Sequence, residues 1–297
     1  MEPIMDQQVM ELDVVRVKEW EQFGWLRHGF STRAGGVSAV YGGDTLNLGW
    51  TKEDDPACVA ENRRRFLRAV TGEPAGNHDF TLVTVRQIHS GITQTIRQED
   101  GPFAGKFQTP EGKAVLEGDG LMTNLPGLML GVGTADCVPV LVADVKERTV
   151  AAFHAGWRGT AARIVEHGIA KMTQEYGSKP ENLIAAIGPS IGACCYAIGD
   201  EVRTAFDSQF DYAHELFSSD SDQTPRHVET QSPMYVDLWK ANQRQLLAAG
   251  VEPSKITIIG ECTACSRDEQ GRPRYFSHRA EHGIAGRMLN VVGIDPE

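Results

Sequence analysis

An α+β fold is the architecture this sequence predicts, and three observations predict it. Short apolar, β-branched runs from Leu128 to Gly133, Val138 to Val142 and Val150 to Phe153 are bounded by Gly or Asp, as buried strands are. Amphipathic helical stretches with capping signals occur on both sides of them. Strands and helices do not alternate strictly, which argues for layered α+β packing and against a doubly wound parallel sheet.

Taken in order, residues 26–49 are Gly-rich with polar residues at strand ends and read as strand, loop, strand. Asp55-Pro56 starts a helix, with Asp as N-cap and Pro in the first turn, and Gly72 ends it. Val59, Phe66, Leu67 and Val70 give this helix an apolar face, and Asn62 to Arg65 a polar one. Thr81 to Ile88 reads as a strand with His89 at its end. Gln98 to Gly118 is polar and Gly/Pro-punctuated, an exposed loop. After the three strands named above, Thr160 to Tyr176 forms one amphipathic helix with Ile164, Val165, Ile169 and Met172 on its apolar face. Leu183 to Ile187 is a strand. Phe210 to Gln231, acidic and Ser-rich, is a mobile excursion. Val236 to Ala249 is helical with Gly250 as its C′ residue, and Ile256 to Ile259 is a strand. Tyr275 to Gly293 carries a basic patch and a last short element. No internal repeat occurs at solenoid periods.

The hydrophobic fraction of 41% and charged fraction of 23% are those of a soluble globular protein. A formal net charge of -11 argues against nucleic-acid or anionic-membrane partners, but not against a small anionic ligand held by local donors. The N-terminus has neither a basic nor an apolar signal region, and no run reaches the roughly 20 apolar residues of a membrane span. The expected location is cytoplasmic. The six cysteines are therefore expected as thiols, ligands or packing residues. The sequence sets no oligomeric state.

Three reactive side chains stand at strand ends: His89, Cys137 and His154. Cys137 lies between Thr134-Ala135-Asp136 and Pro139, at a break between apolar runs. His154 precedes Ala155-Gly156-Trp157-Arg158-Gly159, a loop that opens a helix and can turn backbone N–H groups toward an anion, with Arg158 as added charge. One thiol and two imidazoles can bind a metal with its fourth position open. They can equally form a nucleophile and its base. Cys262-Thr263-Ala264-Cys265 is a single C-x-x-C. Cys194-Cys195 could in principle supply a second pair, but without paired spacing the expectation is packing or a loop role. Ser277-His278-Arg279 and Gly286-Arg287 form a late basic patch suited to phosphate or a ribose hydroxyl. Asn47, at a strand end, orients a ligand or caps a turn. There is no Walker loop, no G-x-G-x-x-G after a strand, no H-E-x-x-H and no G-x-S-x-G.

Taken together, Phe30-Ser31-Thr32-Arg33-Ala34-Gly35-Gly36, Leu46-Asn47-Leu48-Gly49, Glu61-Asn62-Arg63, Gln87-Ile88-His89, Gly118-Asp119-Gly120, Thr134-Ala135-Asp136-Cys137, His154-Ala155-Gly156-Trp157-Arg158-Gly159, Gly188-Pro189-Ser190-Ile191-Gly192-Ala193-Cys194-Cys195-Tyr196 and Phe276-Ser277-His278-Arg279 resemble the multicopper polyphenol oxidoreductase (laccase-like) family, which includes peptidoglycan editing factors and purine-metabolising homologues. The likeness runs from about residue 26 to the C-terminus. It divides the chain into an N-terminal extension, 1–25, and a single catalytic domain, 26–297.

The resemblance implies a four-layer α/β/β/α sandwich, similar to a toxin deamidase with a cysteine–histidine site. It implies zinc, with copper second, on His89, Cys137 and His154, which are then both ligands and catalytic residues. It further implies purine nucleoside phosphorolysis, adenosine or inosine plus phosphate giving base plus ribose 1-phosphate, with adenosine deaminase and methylthioadenosine phosphorylase activities. The partners are then small molecules, a nucleoside and phosphate. Arg158 is the first choice for phosphate, with Arg33, Arg63 and Arg279 as others, and Asn47 as an orienting group. The laccase label fits poorly, since one thiol and two imidazoles cannot build a trinuclear copper centre and a blue-copper site. Two other readings stay open. One is a metal-free cysteine amidase or hydrolase acting on peptidoglycan precursors with Cys137 and His154. The other is a binding role in cell-wall quality control.

Overall fold

The continuous apolar runs decide the architecture, because a strand buried on both faces needs a partner layer on each side. The computed structural model describes residues 12–72, 80–97, 107–109, 112–219 and 234–296. Its strands begin with β1 (Val14–Val15), β2 (Leu26–Ser31) and β3 (Ala34–Ser38), followed by helix α1 (Pro56–Thr71). Then come β4 (Thr81–Thr84), β5 (Thr93–Thr95), β6 (Gly120–Thr123), β7 (Leu128–Thr134), β8 (Val138–Asp144) and β9 (Thr149–Ala155). Helices α2 (Trp157–Ala161) and α3 (Ile164–Tyr176) lead to β10 (Leu183–Ile187), β11 (Ala197–Ile198) and α4 (Asp200–Asp207). The chain closes with β12 (Phe217–Ser219), β13 (Met234–Val236), α5 (Leu238–Ala248), β14 (Ile256–Ile258) and β15 (Met288–Ile294).

Two main sheets result, in the orders β1-β2-β15-β7-β4 and β14-β10-β8-β9-β6-β5, with a small sheet β11-β13-β12. This is the mixed α+β class expected. Leu130 and Val132 of β7 and Val292 of β15 join Leu141 and Ala143 of β8, Ala152 of β9 and Ala186 of β10 in one cluster between the main sheets. The alternate residues, Val140 and Val142 of β8 and Phe153 of β9, cluster instead with Ile164, Val165, Ile169 and Met172 of α3 and Leu246 of α5. Phe66 and Val70 of α1 pack with Met129 and Val291 on the outer face of the five-stranded sheet. No helix among the described residues is long and apolar enough to cross a membrane.

The α1 boundaries follow the sequence signals. The Asp55 side chain accepts from Ala57 N, Pro56 opens the helix, and Gly72 closes it with φ 74°. Its supposed polar face differs. Asn62 is fully buried. Its amide donates to Ser38 Oγ (2.9 Å), Asn47 O (3.0 Å) and Thr45 O (3.2 Å), and its oxygen accepts from Val37 N (2.8 Å). The helix thus satisfies the irregular backbone of 37–47, where the second expected strand is only isolated bridges at Thr45. Gly36 is required there, since a Cβ would lie 2.1 Å from Thr45 O.

Other differences have equally local causes. The strand expected over Thr81 to Ile88 ends at Thr84, and the helix expected over Thr160 to Tyr176 is two helices, broken where Arg163 turns left-handed (φ 56°). Within the expected exposed loop Gln98 to Gly118, 98–106 and 110–111 lie outside the described residues, and Phe107 is buried. Of the acidic excursion, 220–233 lies outside them, while 210–219 is a short turn and β12 that bury Phe210, Ala213 and Leu216 and expose Asp211, His214 and Glu215. The last element is no minor one: β15 is a seven-residue strand between β2 and β7.

The Asn62 network predicts a stability effect. Asn62→Leu removes the partner of Val37 N–H and the amide bonds to Ser38 Oγ, Thr45 O and Asn47 O, and is expected to cost roughly 2–4 kcal/mol of unfolding free energy. Urea denaturation with an unchanged slope measures it. A loss within a few tenths of a kcal/mol overturns the assignment.

Candidate active site

Strand register gathers the three reactive side chains. β8 and β9 are antiparallel, with Val138 opposite Ala155, so Cys137 just before β8 adjoins His154 near the end of β9. β4 runs parallel to β7, so the segment after β4 carries His89 to the end where β7 leads into the Cys137 loop. β6 is antiparallel to β9, with Gly120 opposite Phe153, which brings Asp119 to the same end. The ligand atoms of His89, Cys137 and His154 lie within 4.8 Å of one another. The two imidazole rings meet edge to face at 5.1 Å.

Asp119 fixes this geometry. Its carboxylate pairs with His154 Nδ1 at 2.9 Å, which turns Nε2 toward the centre. The same carboxylate accepts from His89 N (3.0 Å), Ser90 N (2.5 Å) and Ser90 Oγ (2.8 Å). His89 itself sits at φ 58°, a left-handed conformation unfavourable for a side chain. Gly156, next to His154, leaves room for the thiol, because a Cβ there would stand 2.8 Å from Cys137 Sγ.

The groups polarise one another. Burial opposes ionisation of Cys137, but the charge of His154 and hydrogen bonds from both histidines outweigh it and hold the thiol at about 6. Burial likewise opposes the charged His154, yet the Cys137 charge and the Asp119 hydrogen bond lift it to about 9. Burial would raise Asp119, but the hydrogen bonds from His154 and Ser90 bring it to about 2. A thiolate ready at neutral pH, one imidazole oriented by a carboxylate, and a second imidazole form the donor set of a three-ligand zinc site with an open position. The residues fit such an ion. They fit a thiolate–imidazolium pair as well.

The three donors open on a cleft of about 730 Å³. Arg63, Arg86, Lys113, Arg287 and His278 line it, together with Trp50 and Gln87. Arg63 donates to Leu48 O (2.8 Å) and covers the Trp50 ring at 4.8 Å. Burial alone lowers its pKa, to about 10. Arg287 donates to Ala285 O and Gly286 O.

The remaining expected binding residues lie elsewhere. Arg158 is exposed, stacks over Trp157 at 4.2 Å and is not among the residues that line the cleft. Arg279 donates through its guanidinium to Ala197 O and through its backbone to Asp136. Asn47 is fully buried, bonded to Asp54, Gly49 and Arg287 N. Arg33 pairs with Glu281. Of the late basic patch, His278 and Arg287 do reach the cleft. Asp119 and Gln87 have roles that the motifs contained but did not assign. Gln87 brackets the Gly133 backbone with two bonds, to its O (2.8 Å) and from its N (2.7 Å).

Comparison with known proteins agrees with this architecture. A family model described as multi-copper polyphenol oxidoreductase laccase matches residues 27–295. A purine nucleoside phosphorylase of Bacteroides thetaiotaomicron is 40% identical over 91% of this chain and 92% of its own. An adenosine deaminase named RL5, from an unknown prokaryotic organism, is 38% identical over 71% of this chain and 74% of its own. The crystal structure of the Bacillus licheniformis hypothetical protein YfiH superposes with a TM-score of 0.79 at 27% identity, covering 97% of this chain and 98% of that one. The chain belongs to the multi-copper polyphenol oxidoreductase laccase family.

The polarised thiol predicts a pH signature. In metal-stripped protein, alkylation of Cys137 by iodoacetamide should stay near its plateau from pH 9 down to 7 and fall by half near 6, because only the thiolate reacts. An ordinary thiol loses its reactivity already below about 8.5. Mass-mapped alkylation rates against pH check this, and His154→Ala should move the midpoint upward.

Proposed function

We propose that this family member is a zinc-dependent purine nucleoside phosphorylase that also deaminates adenosine and cleaves methylthioadenosine. The observation that carries the reading is one cleft that holds both a three-donor candidate metal centre and two guanidiniums, Arg63 and Arg287, that pair with no carboxylate among the described residues. Relatives named purine nucleoside phosphorylase and adenosine deaminase support it.

His89, Cys137 and His154 would hold the ion. When bound, zinc supplies Lewis-acid polarisation and lowers the pKa of a coordinated water. Asp119 keeps His154 in the ligating orientation throughout. Arg63 and Arg287 hold phosphate at the cleft wall, where their guanidiniums make charge-assisted hydrogen bonds to its oxygens. In phosphorolysis a phosphate oxygen bonds to C1′ as the bond from C1′ to the purine nitrogen breaks, and the departing base takes up a proton. Trp50 offers a flat apolar wall for the purine. Arg158 is better read as packing on Trp157, in the helix that follows β9, than as the phosphate ligand.

We also read the layers as a four-layer α/β/β/α sandwich of the toxin-deamidase kind. Three clusters support it: one between the sheets and one under each helical layer.

A second reading keeps its own observation. The Asp119–His154–Cys137 chain, with the thiol low and the imidazole high, is also the arrangement of a cysteine amidase or hydrolase acting on peptidoglycan precursors. Metal content separates the two. Zinc-loaded enzyme silenced by chelation and restored by zinc supports the first reading. Chelator-resistant activity lost on thiol alkylation supports the second.

The decisive assay is purified protein with adenosine, with and without phosphate, the products resolved by chromatography. Adenine and ribose 1-phosphate are expected only with phosphate, and inosine without it. Cys137→Ala should abolish both products while circular dichroism is unchanged. Arg287→Ala should raise the KM for phosphate roughly 10- to 150-fold, the worth of one charge-assisted bond, and spare deamination. Equal losses in both reactions would make Arg287 structural.

A further inference from the structure

Four cysteines outside the cleft also converge. β10 and β14 are parallel neighbours, with Ile187 opposite Ile258, so the segments that follow them leave the sheet at the same end. A parallel bridge continues the pairing, Ser190 opposite Cys262, through Ser190 N to Glu261 O and Thr263 N to Ser190 O. One segment then presents Cys194 and Cys195 and the other Cys262 and Cys265. All four sulfurs lie within 4.8 Å of one another. The sequence reading expected packing, because adjacent cysteines have no paired spacing. What linear spacing could not show is that the sheet supplies the second pair.

We propose that Cys194, Cys195, Cys262 and Cys265 bind a structural zinc ion, a second metal site independent of the cleft. Thiolates at Zn–S distances of about 2.3 Å around a tetrahedral ion stand about 3.8 Å apart. Cys194 and Cys265 are 3.8 Å apart. A disulfide needs about 2.05 Å and a pair, not a quartet, and adjacent Cys194 and Cys195 are poorly placed to bridge each other. An iron–sulfur cluster interposes further iron and sulfide atoms, and spaces its thiolates more widely. Gly192 N–H donates to Cys262 Sγ at 3.3 Å, the kind of bond that supports a thiolate ligand. Two of the four, Cys195 and Cys262, are buried, and Ile191 and Ala264 close the site with apolar surface. On binding, zinc displaces the four thiol protons to solvent and leaves four Zn–S bonds with a net charge of minus two. No oxidant or reductant is needed.

The site would clamp two segments that support the cleft. Ile191 N donates to Asp136 O, and Thr263 Oγ1 donates to Asp136 Oδ1 at 2.6 Å. Asp136 precedes Cys137. A loosened quartet therefore reaches the catalytic thiol through a single residue.

Metal stoichiometry and X-ray absorption test the proposal. Cys137→Ala protein, which lacks the cleft centre, should retain one zinc per chain, with four sulfur neighbours at about 2.3 Å. A Cys194→Ser/Cys265→Ser double variant should bind one zinc fewer than wild type. If that variant does not fold, the absorption spectrum of Cys137→Ala decides alone. In wild type, stepwise addition of an organomercurial should release this zinc as the four thiols react. Metal-free Cys137→Ala protein, zinc with nitrogen or oxygen neighbours, iron in place of zinc, or a Cys194–Cys265 disulfide found by mass spectrometry would each overturn it. A wild type holding only the four-sulfur zinc would sink the cleft metal instead, so the two readings fail separately.

Discussion

The centre depends on the carboxylate of Asp119. A buried carboxylate costs several kcal/mol unless donors surround it. Here the donors are the backbone of His89 and Ser90, the Ser90 hydroxyl and the His154 ring. The main chain joins in, since His154 N donates to Asp119 O at 2.7 Å. Each donor belongs to a segment that carries one of the candidate ligands. Satisfying the acid and bringing those side chains together are therefore one event. Asp119 favours this arrangement of the cleft by itself.

Asp136 plays the matching part on the Cys137 side. It is buried, and burial raises its pKa against the bonds it accepts from Thr263, Ser277 and Arg279 N. It also holds a left-handed φ of 89°, as His89 does at 58°. Each such residue costs about 1–2 kcal/mol. Each hydrogen bond to a carboxylate returns about 1.5–3 kcal/mol. Several bonds to one carboxylate therefore outweigh one strained residue, and both turns persist. The strain lies where the chain must leave a strand sharply to aim a donor, which is a common place for it.

Most of the central strands were legible from sequence because a short continuous apolar run bounded by Gly or Asp is a local signal. β8, β9 and β10 are buried at every residue and β7 at all but one, and α1 announces itself by Asp55, Pro56 and Gly72. His89, Cys137 and His154 could be singled out because each sits where an apolar run breaks. Other features rest on distant contacts. Asn62 reads as a solvent-facing residue until the backbone of 37–47 is laid against it. Nothing local in Thr160 to Tyr176 marks Arg163 as a break. Arg158 attracted a phosphate role through the helix that follows it, but that helix has five residues and the side chain lies over Trp157. The quartet of thiols needs sheet order, which no spacing rule encodes. Asp119 stood in view within Gly118-Asp119-Gly120, yet a single acid before a strand has no distinguishing pattern.

Charge shows how a bulk property and a site can differ. A chain of net charge -11 repels polyanions at long range. Within the cleft the balance reverses. At physiological ionic strength the screening length is about 8 Å, so exposed acids farther off than that act weakly through solvent on the cleft mouth. Arg86 is neutralised by Glu117. The guanidiniums of Arg63 and Arg287 donate to backbone carbonyls and pair with no carboxylate among the described residues, and burial already lowers the pKa of Arg63 to about 10. Removing a guanidinium from water without a counter-charge is unfavourable, and an anion between the two arginines would relieve that cost. The cleft therefore favours a small, compact anion placed against the two arginines, while the net charge of the chain opposes a polyanion at long range.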